Sequence, residues 1–203
     1  MVTIGEERAA AIERELEVLI PASEIARRVG ELAAEIQSSL AGERVVAVSA
    51  LIGGFVFLSD LIRQIRPAPT VDLAHLRSYG TGTRSSDHIT LLRPLDQPIR
   101  GRHVLIVEDI VDTGQTARFL IDMVRAESPA AMTFVTLLNK PARRKVHIEP
   151  DLVGFEVTNR FVVGYGLDYA GLFRSLPDVC ALPRWAEDAW PDGSPPGEAR
   201  APR

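Results

Sequence analysis

Near the middle of the chain, nine residues hold three carboxylates, two hydroxyls and a glycine: Glu108, Asp109, Asp112, Thr113, Gly114, Gln115 and Thr116, interrupted only by two apolar positions. The apolar run 103–107 before them reads as a buried strand, and the pattern after them reads as a helix. The acids therefore stand at the carboxyl end of a strand, where open α/β sheets bind their ligands. A helix N-terminus at that place offers unpaired N–H groups and the positive end of a dipole, a natural seat for phosphate. Gly114 lets the backbone approach a ligand closely, and Thr113 and Thr116 add hydroxyl donors. Carboxylates alone would repel a phosphate, by about 1 kcal/mol for unit charges at 4 Å in water and about 4 at an effective dielectric of 20. Sugar hydroxyls donating to the acids, together with a divalent cation, remove the conflict. Mg²⁺ suits the place because it takes oxygen ligands and bridges carboxylates to substrate phosphates. The ligand that fits is a sugar phosphate with a metal; the competing reading is a solvated acidic turn.

The surrounding elements follow from apolar spacing. Ile25, Val29, Leu32, Ile36 and Leu40 mark one face of a helix, with Ser23 as its expected N-cap and Gly42 as its stop. The unbroken apolar run 45–50 suits a strand covered on both faces. Gly53-Gly54 and a second helical pattern through Phe57, Leu58, Leu61 and Ile62 follow it, the first half of a βαβ unit. Strands are expected at 71–79, 88–95, 132–138, 152–157 and 161–165, a short edge strand at 16–20, and a helix from Thr113 onward. Residues 1–15 lack an apolar face longer than one turn and read as a loose leader or frayed helix. Strands alternating with helices imply a mainly parallel sheet flanked by helices, an α/β fold. The expected domain spans 1–185. Residues 186–203, rich in Pro, Gly and charge, are expected to be a disordered tail.

Length and composition bound the function. The chain has 203 residues, a formal net charge of −4 and a single cysteine, Cys180, with a pI of about 5.6. One domain is expected, large enough to bury roughly 70% of its extended surface. A disulfide within the chain and a cysteine-rich zinc site are excluded. The acidic balance argues against nucleic acid as partner, leaving only a small basic run at Arg143-Arg144-Lys145. No apolar run approaches the roughly 20 residues needed to span a bilayer, and the charged start does not resemble a signal peptide. A cytoplasmic protein without membrane partners is expected.

Motifs then add a resemblance. Residues 107–116, VEDIVDTGQT, resemble the phosphoribosyl pyrophosphate signature of the type I phosphoribosyltransferases. Residues 161–169, FVVGYGLDY, followed by 173–177, FRSLP, are similar to the purine-binding end of the hypoxanthine and hypoxanthine-guanine members of that family. The pieces at 51–54, 77–80, 137–140 and 150–156 fall in the family's order. The resemblance covers roughly residues 16–183 and implies the family's fold, a central sheet with a small hood.

It also implies transfer of a phosphoribosyl group onto N9 of a 6-oxopurine, with release of pyrophosphate. By resemblance, Glu108 and Asp109 hold the ribose hydroxyls, partly through Mg²⁺. Asp112 is the catalytic acid/base group at purine N7, and residues 112–116 hold the 5′-phosphate. Lys140 donates to O6, Phe161 stacks on the purine, and the backbone at Val162 and Asp168 meets the ring edge. Asp168 also coordinates Mg²⁺ on the pyrophosphate side, where Ile52, Gly53 and Arg174 bind pyrophosphate. Ser78 and Tyr79 belong to a mobile lid. A homodimer or homotetramer is the implied assembly.

Two positions depart from the pattern. Ile52 stands where the family usually carries Lys or Arg, and Gln115 where some members carry Lys. Two alternatives stay open at the level of sequence: a regulator that senses phosphoribosyl pyrophosphate and binds nucleic acid, and a transferase preferring xanthine.

Overall fold

The computed structural model describes residues 4–40, 42–79 and 88–187. The main sheet has six strands: β2 (Val46–Leu51), β3 (Thr70–Tyr79), β4 (His88–Arg93), β5 (His103–Val111), β6 (Ala131–Asn139) and β7 (Leu152–Glu156). Their order is β4-β3-β2-β5-β6-β7. Every neighbouring pair is parallel except β3 with the edge strand β4. The smaller sheet, β1-β9-β8, joins β1 (Glu17–Ile20), β9 (Val179–Ala181) and β8 (Val162–Val163) antiparallel. It is the small hood that the resemblance implied.

Alternation along β2 and β5 explains why their sequences are continuously apolar. Ala47, Leu105 and Val107, with Val45 just before β2, pack with helices α2 (Ala22–Leu40) and α3 (Phe55–Ile62). Val46, Val48, Val104 and Ile106 pack on the other side against helix α4 (Gln115–Ala126). A strand with helices on both faces has no side left for polar residues. The acids therefore appear only as β5 emerges from this cover, Glu108 and Asp109 within its last four residues and Asp112 directly after its end.

Several local expectations shift. Ser23 lies inside α2, not at its cap. Pro21 begins the turn by accepting from Glu24 and Ile25, and the Ala22 N–H donates to Asp178 Oδ1 at 2.7 Å, from 156 residues away. The leader folds as α1 (Glu6–Arg14), anchored by Ile12, which is fully buried. At the other end the packed chain runs past 185 through α5 (Arg184–Glu187), with Ala186 fully buried. Residues 188–203 lie outside the described residues.

Candidate active site

The site lies at the carboxyl ends of β2, β5 and β6. Beyond β5 the chain makes a turn in which Gly114 takes a left-handed φ of +84° and α4 begins. A side chain there would also meet Ile148 Cγ2 at 2.8 Å and Arg144 Cδ at 3.0 Å, so conformation and space both require glycine. The turn is strapped from outside by Lys145, whose N–H donates to the Thr113 carbonyl at 2.9 Å. Asp109, Asp112, Thr113, Gly114 and Thr116 surround a hollow of about 220 Å³, with Glu108 and Gly53 on its wall. Gln115 lines an outer groove with Arg118 and Phe119 instead.

That hollow adjoins a larger cleft of about 480 Å³. Gly53, Asp109, Asp112, Thr113, Thr116, Lys140, Phe161, Val162, Asp168 and Arg174 all border it. Residues expected from separated motifs are thus brought to one place. Ile52 borders neither space and is half exposed. Ser78 and Tyr79 end β3, where their backbones pair with Ile89 and His88. The rest of the expected lid, 80–87, lies outside the described residues.

The electrostatics of the floor are unusual. Glu108 and Asp109 are both nearly covered. Burial pushes the Glu108 carboxyl well above its ordinary value, and the neighbouring Asp109 charge raises it further. One Glu108 oxygen, Oε1, is buried with no hydrogen-bond partner. Burial lifts Asp109 to about 6, against the opposing pull of the Ile110 N–H, which donates to its Oδ1 at 2.9 Å. Above them, Arg174 reaches Asp168 Oδ1 at 2.5 Å and donates to the Gly166 carbonyl at 2.6 Å. The second Asp168 oxygen accepts from Gly171 N at 2.7 Å.

Also bordering the cleft, Lys140 is almost fully buried, and Nζ donates to the Arg160 carbonyl at 2.6 Å. Burial lowers its pKa, while the charge of Asp112 supports the ammonium form. Phe161 meets Tyr169 edge-on, with ring centroids 5.5 Å apart. Lys140 and Phe161 both border the cleft, which sets a donor-only ammonium and an aromatic ring beside a space that suits a flat heterocycle with an acceptor on its edge.

A family model for the phosphoribosyl transferase domain matches residues 19–170. The hypoxanthine-guanine phosphoribosyltransferase of Bacillus subtilis is 42% identical over 165 residues, covering 81% of this chain and 92% of that protein. The chain belongs to the phosphoribosyltransferase family, among the hypoxanthine phosphoribosyltransferases. A hypoxanthine-guanine phosphoribosyltransferase of Bacillus anthracis superposes with a TM-score of 0.77 at 41% identity, covering 81% of this chain and 97% of that one. The bifunctional protein TilS/HprT of Listeria innocua is 42% identical over 165 residues. This phosphoribosyltransferase-family chain spans 26% of that longer relative's length.

One arginine that borders the cleft and two that bond to a lining residue or its neighbour carry no signal in the sequence. Arg143, read as part of a basic surface run, sits 3.5 Å from Asp112 Oδ1 and borders the cleft. Arg144 turns inward too, donating to Asn139 Oδ1 at 2.5 Å. Arg160 supplies the carbonyl that holds Lys140. The run KPARRK carries no periodicity, so only its adjacency to Lys140 could have suggested that its arginines fold back.

Proposed function

We propose that this protein transfers the phosphoribosyl group of 5-phosphoribosyl 1-pyrophosphate to N9 of hypoxanthine, guanine or both, yielding IMP or GMP and pyrophosphate. One observation carries the reading: Asp112, Lys140 and Phe161, from three separate motifs, border a single cleft that adjoins the glycine turn at 112–116.

In this reading the 5′-phosphate sits on the α4 N-terminus, within reach of the Thr113 and Thr116 hydroxyls. Glu108 and Asp109 take the ribose hydroxyls. Phe161 stacks on the purine, Lys140 donates to O6, and the backbone at Val162 and Asp168 meets the ring edge. Asp112 accepts the N7 proton as the N9–C1′ bond forms and the C1′–pyrophosphate bond breaks. Arg174 and the backbone of Gly53 hold the departing pyrophosphate, and Ile52, which borders neither space, is left out of that role.

Mg²⁺ fits this floor. A buried carboxylate oxygen without a partner and a second covered acid beside it are costly unless a cation or donor arrives. Among the described residues no group of three His, Cys, Asp or Glu side chains could hold a metal ion by itself. Mg²⁺ would be held here by one or two carboxylates and completed by substrate oxygens and water. When bound, Mg²⁺ would neutralise charge on the leaving pyrophosphate. Asp168 would serve this role on exchanging its Arg174 partner for the ion.

Small molecules are therefore the partners inferred. With Arg143 and Arg144 turned inward, the basic run offers nucleic acid little face. Ile52, in the turn before α3, and Phe55, its first residue, are both exposed and joined by the Phe55 N–H to Ile52 carbonyl bond, an apolar pair that supports a homodimer or homotetramer. No described helix is long and apolar enough to cross a membrane.

The test combines the protein, Mg²⁺, phosphoribosyl pyrophosphate and each base in turn, following nucleotide formation. Product from hypoxanthine or guanine is expected. No product from either base overturns the reading.

A further inference from the structure

Arg160 directly precedes Phe161, and its backbone carbonyl holds Lys140 Nζ at 2.6 Å. One residue thus touches both residues of the proposed purine slot. Its guanidinium is mostly covered and spends its donors away from the slot. Nε donates to Glu187 Oε1 at 2.6 Å, Nη2 to the Leu182 carbonyl at 2.7 Å, and Nη1 to Glu17 Oε2 at 3.0 Å. Those acceptors belong to α5, to the residue after β9, and to β1.

The same helix also reaches Phe161 by a second route. The Tyr169 hydroxyl, whose ring packs on Phe161, donates to the Ala186 carbonyl at 3.4 Å. In turn α5 is fastened to α1 and the residue that caps it: Trp185 Nε1 donates to Glu15 Oε2 at 2.9 Å, and Arg8 lies over the Trp185 ring at 5.6 Å. The phosphate turn at 112–116 takes no part in these contacts.

We propose that Arg160, locked by Glu187, is a positioning residue for the purine slot, holding Lys140 and Phe161 in place through its own backbone. A planar guanidinium with three fixed acceptors allows its residue little backbone freedom. Binding groups held rigidly from behind need no reordering when the ligand arrives. The clasp acts on the base and not on the sugar phosphate, which other elements hold.

This inference rests on the purine reading of Lys140 and Phe161, so its test has two arms. In steady-state kinetics, Arg160→Met should raise the KM for hypoxanthine about tenfold while that for phosphoribosyl pyrophosphate stays within about twofold. Glu187→Gln should move the first value in the same direction by less, and Arg160→Lys should restore part of the loss. Equal rises in both KM values, or none, would overturn the assignment. In hydrogen exchange of the ligand-free protein, Arg160→Met should speed exchange at 158–163 about tenfold and leave 112–120 unchanged. Unchanged exchange at 158–163 overturns the positioning role whatever the substrate. Faster exchange in a protein that forms no nucleotide upholds the clasp and discards the purine reading alone.

Discussion

The carboxylate of Asp109 occupies the space that a side chain on Gly53 would need: a Cβ at residue 53 would overlap the carboxylate, and its three nearest neighbours are all Asp109 atoms. The end of β5 and the loop after β2 are therefore fitted to each other at the one point where ribose and pyrophosphate are proposed to meet.

Gly53→Ala must push Asp109 aside. A displacement of about 1 Å in a group that binds substrate costs on the order of 100-fold in rate. We expect kcat/KM to fall by roughly that factor with the Tm nearly unchanged. Steady-state kinetics beside a thermal melt measures both, and full activity in the variant would show that Asp109 has no positional role.

Asp112→Asn keeps the shape of the cleft and removes the proton acceptor. General acid/base groups contribute roughly 10²–10⁴ in rate. The expected outcome is a kcat lowered by that range, with binding of phosphoribosyl pyrophosphate, read by calorimetry, weakened only a few-fold. Parallel losses in both would make Asp112 a binding group.

Asp109 predicts a pH dependence of stability in the metal-free protein. Its pKa is about 6 when folded and near 3.8 when free, so between those pH values the native state holds more proton than the unfolded one. Stability from this group then falls as pH rises from about 4 to 6 and stays low above. The full difference is about 3 kcal/mol. In EDTA, Asp109→Asn should therefore raise the Tm by roughly 5–10 °C at pH 7.5 and by almost nothing at pH 4. A variant less stable than the parent at both pH values contradicts this account.

Lys140 governs the choice of base. An ammonium donates only, so it serves a 6-oxo group and not a 6-amino group. Adenine should be used far less well than hypoxanthine. Lys140→Met should lower kcat/KM for hypoxanthine roughly 10–100-fold, the worth of a charge-assisted hydrogen bond. Comparable turnover of adenine and hypoxanthine by the parent protein would remove this role.

Where the sequence was readable, periodicity and burial coincided. The two-face cover of β2 and β5 leaves an unmistakable apolar run, and the acids mark where that cover stops. The α4 turn was readable because Gly114 is a steric requirement. Other features carry no local signal. β9 has three residues, too few for a period, and its neighbour Asp178 caps a helix far away in sequence. α1 turns a single residue, Ile12, fully inward, so its pattern resembles that of an unattached segment. Arg143 and Arg160 are charges whose partners are set by tertiary folding alone, and spacing along the chain cannot reveal them.

The pairing of β1 with β9, Glu17 against Ala181, has a consequence for biosynthesis. At about 5–20 residues per second, on the order of ten to thirty seconds separate the emergence of β1 from the ribosome and that of β9, the strand it pairs with among the described residues. Throughout that interval β1 is a strand without a partner, and its free N–H and C=O groups are open to pairing with strands from elsewhere. The hood is thus the last part of the fold to close, and refolding yields should depend more steeply on protein concentration when Val18, at the centre of β1, is made more apolar than when it is made Lys.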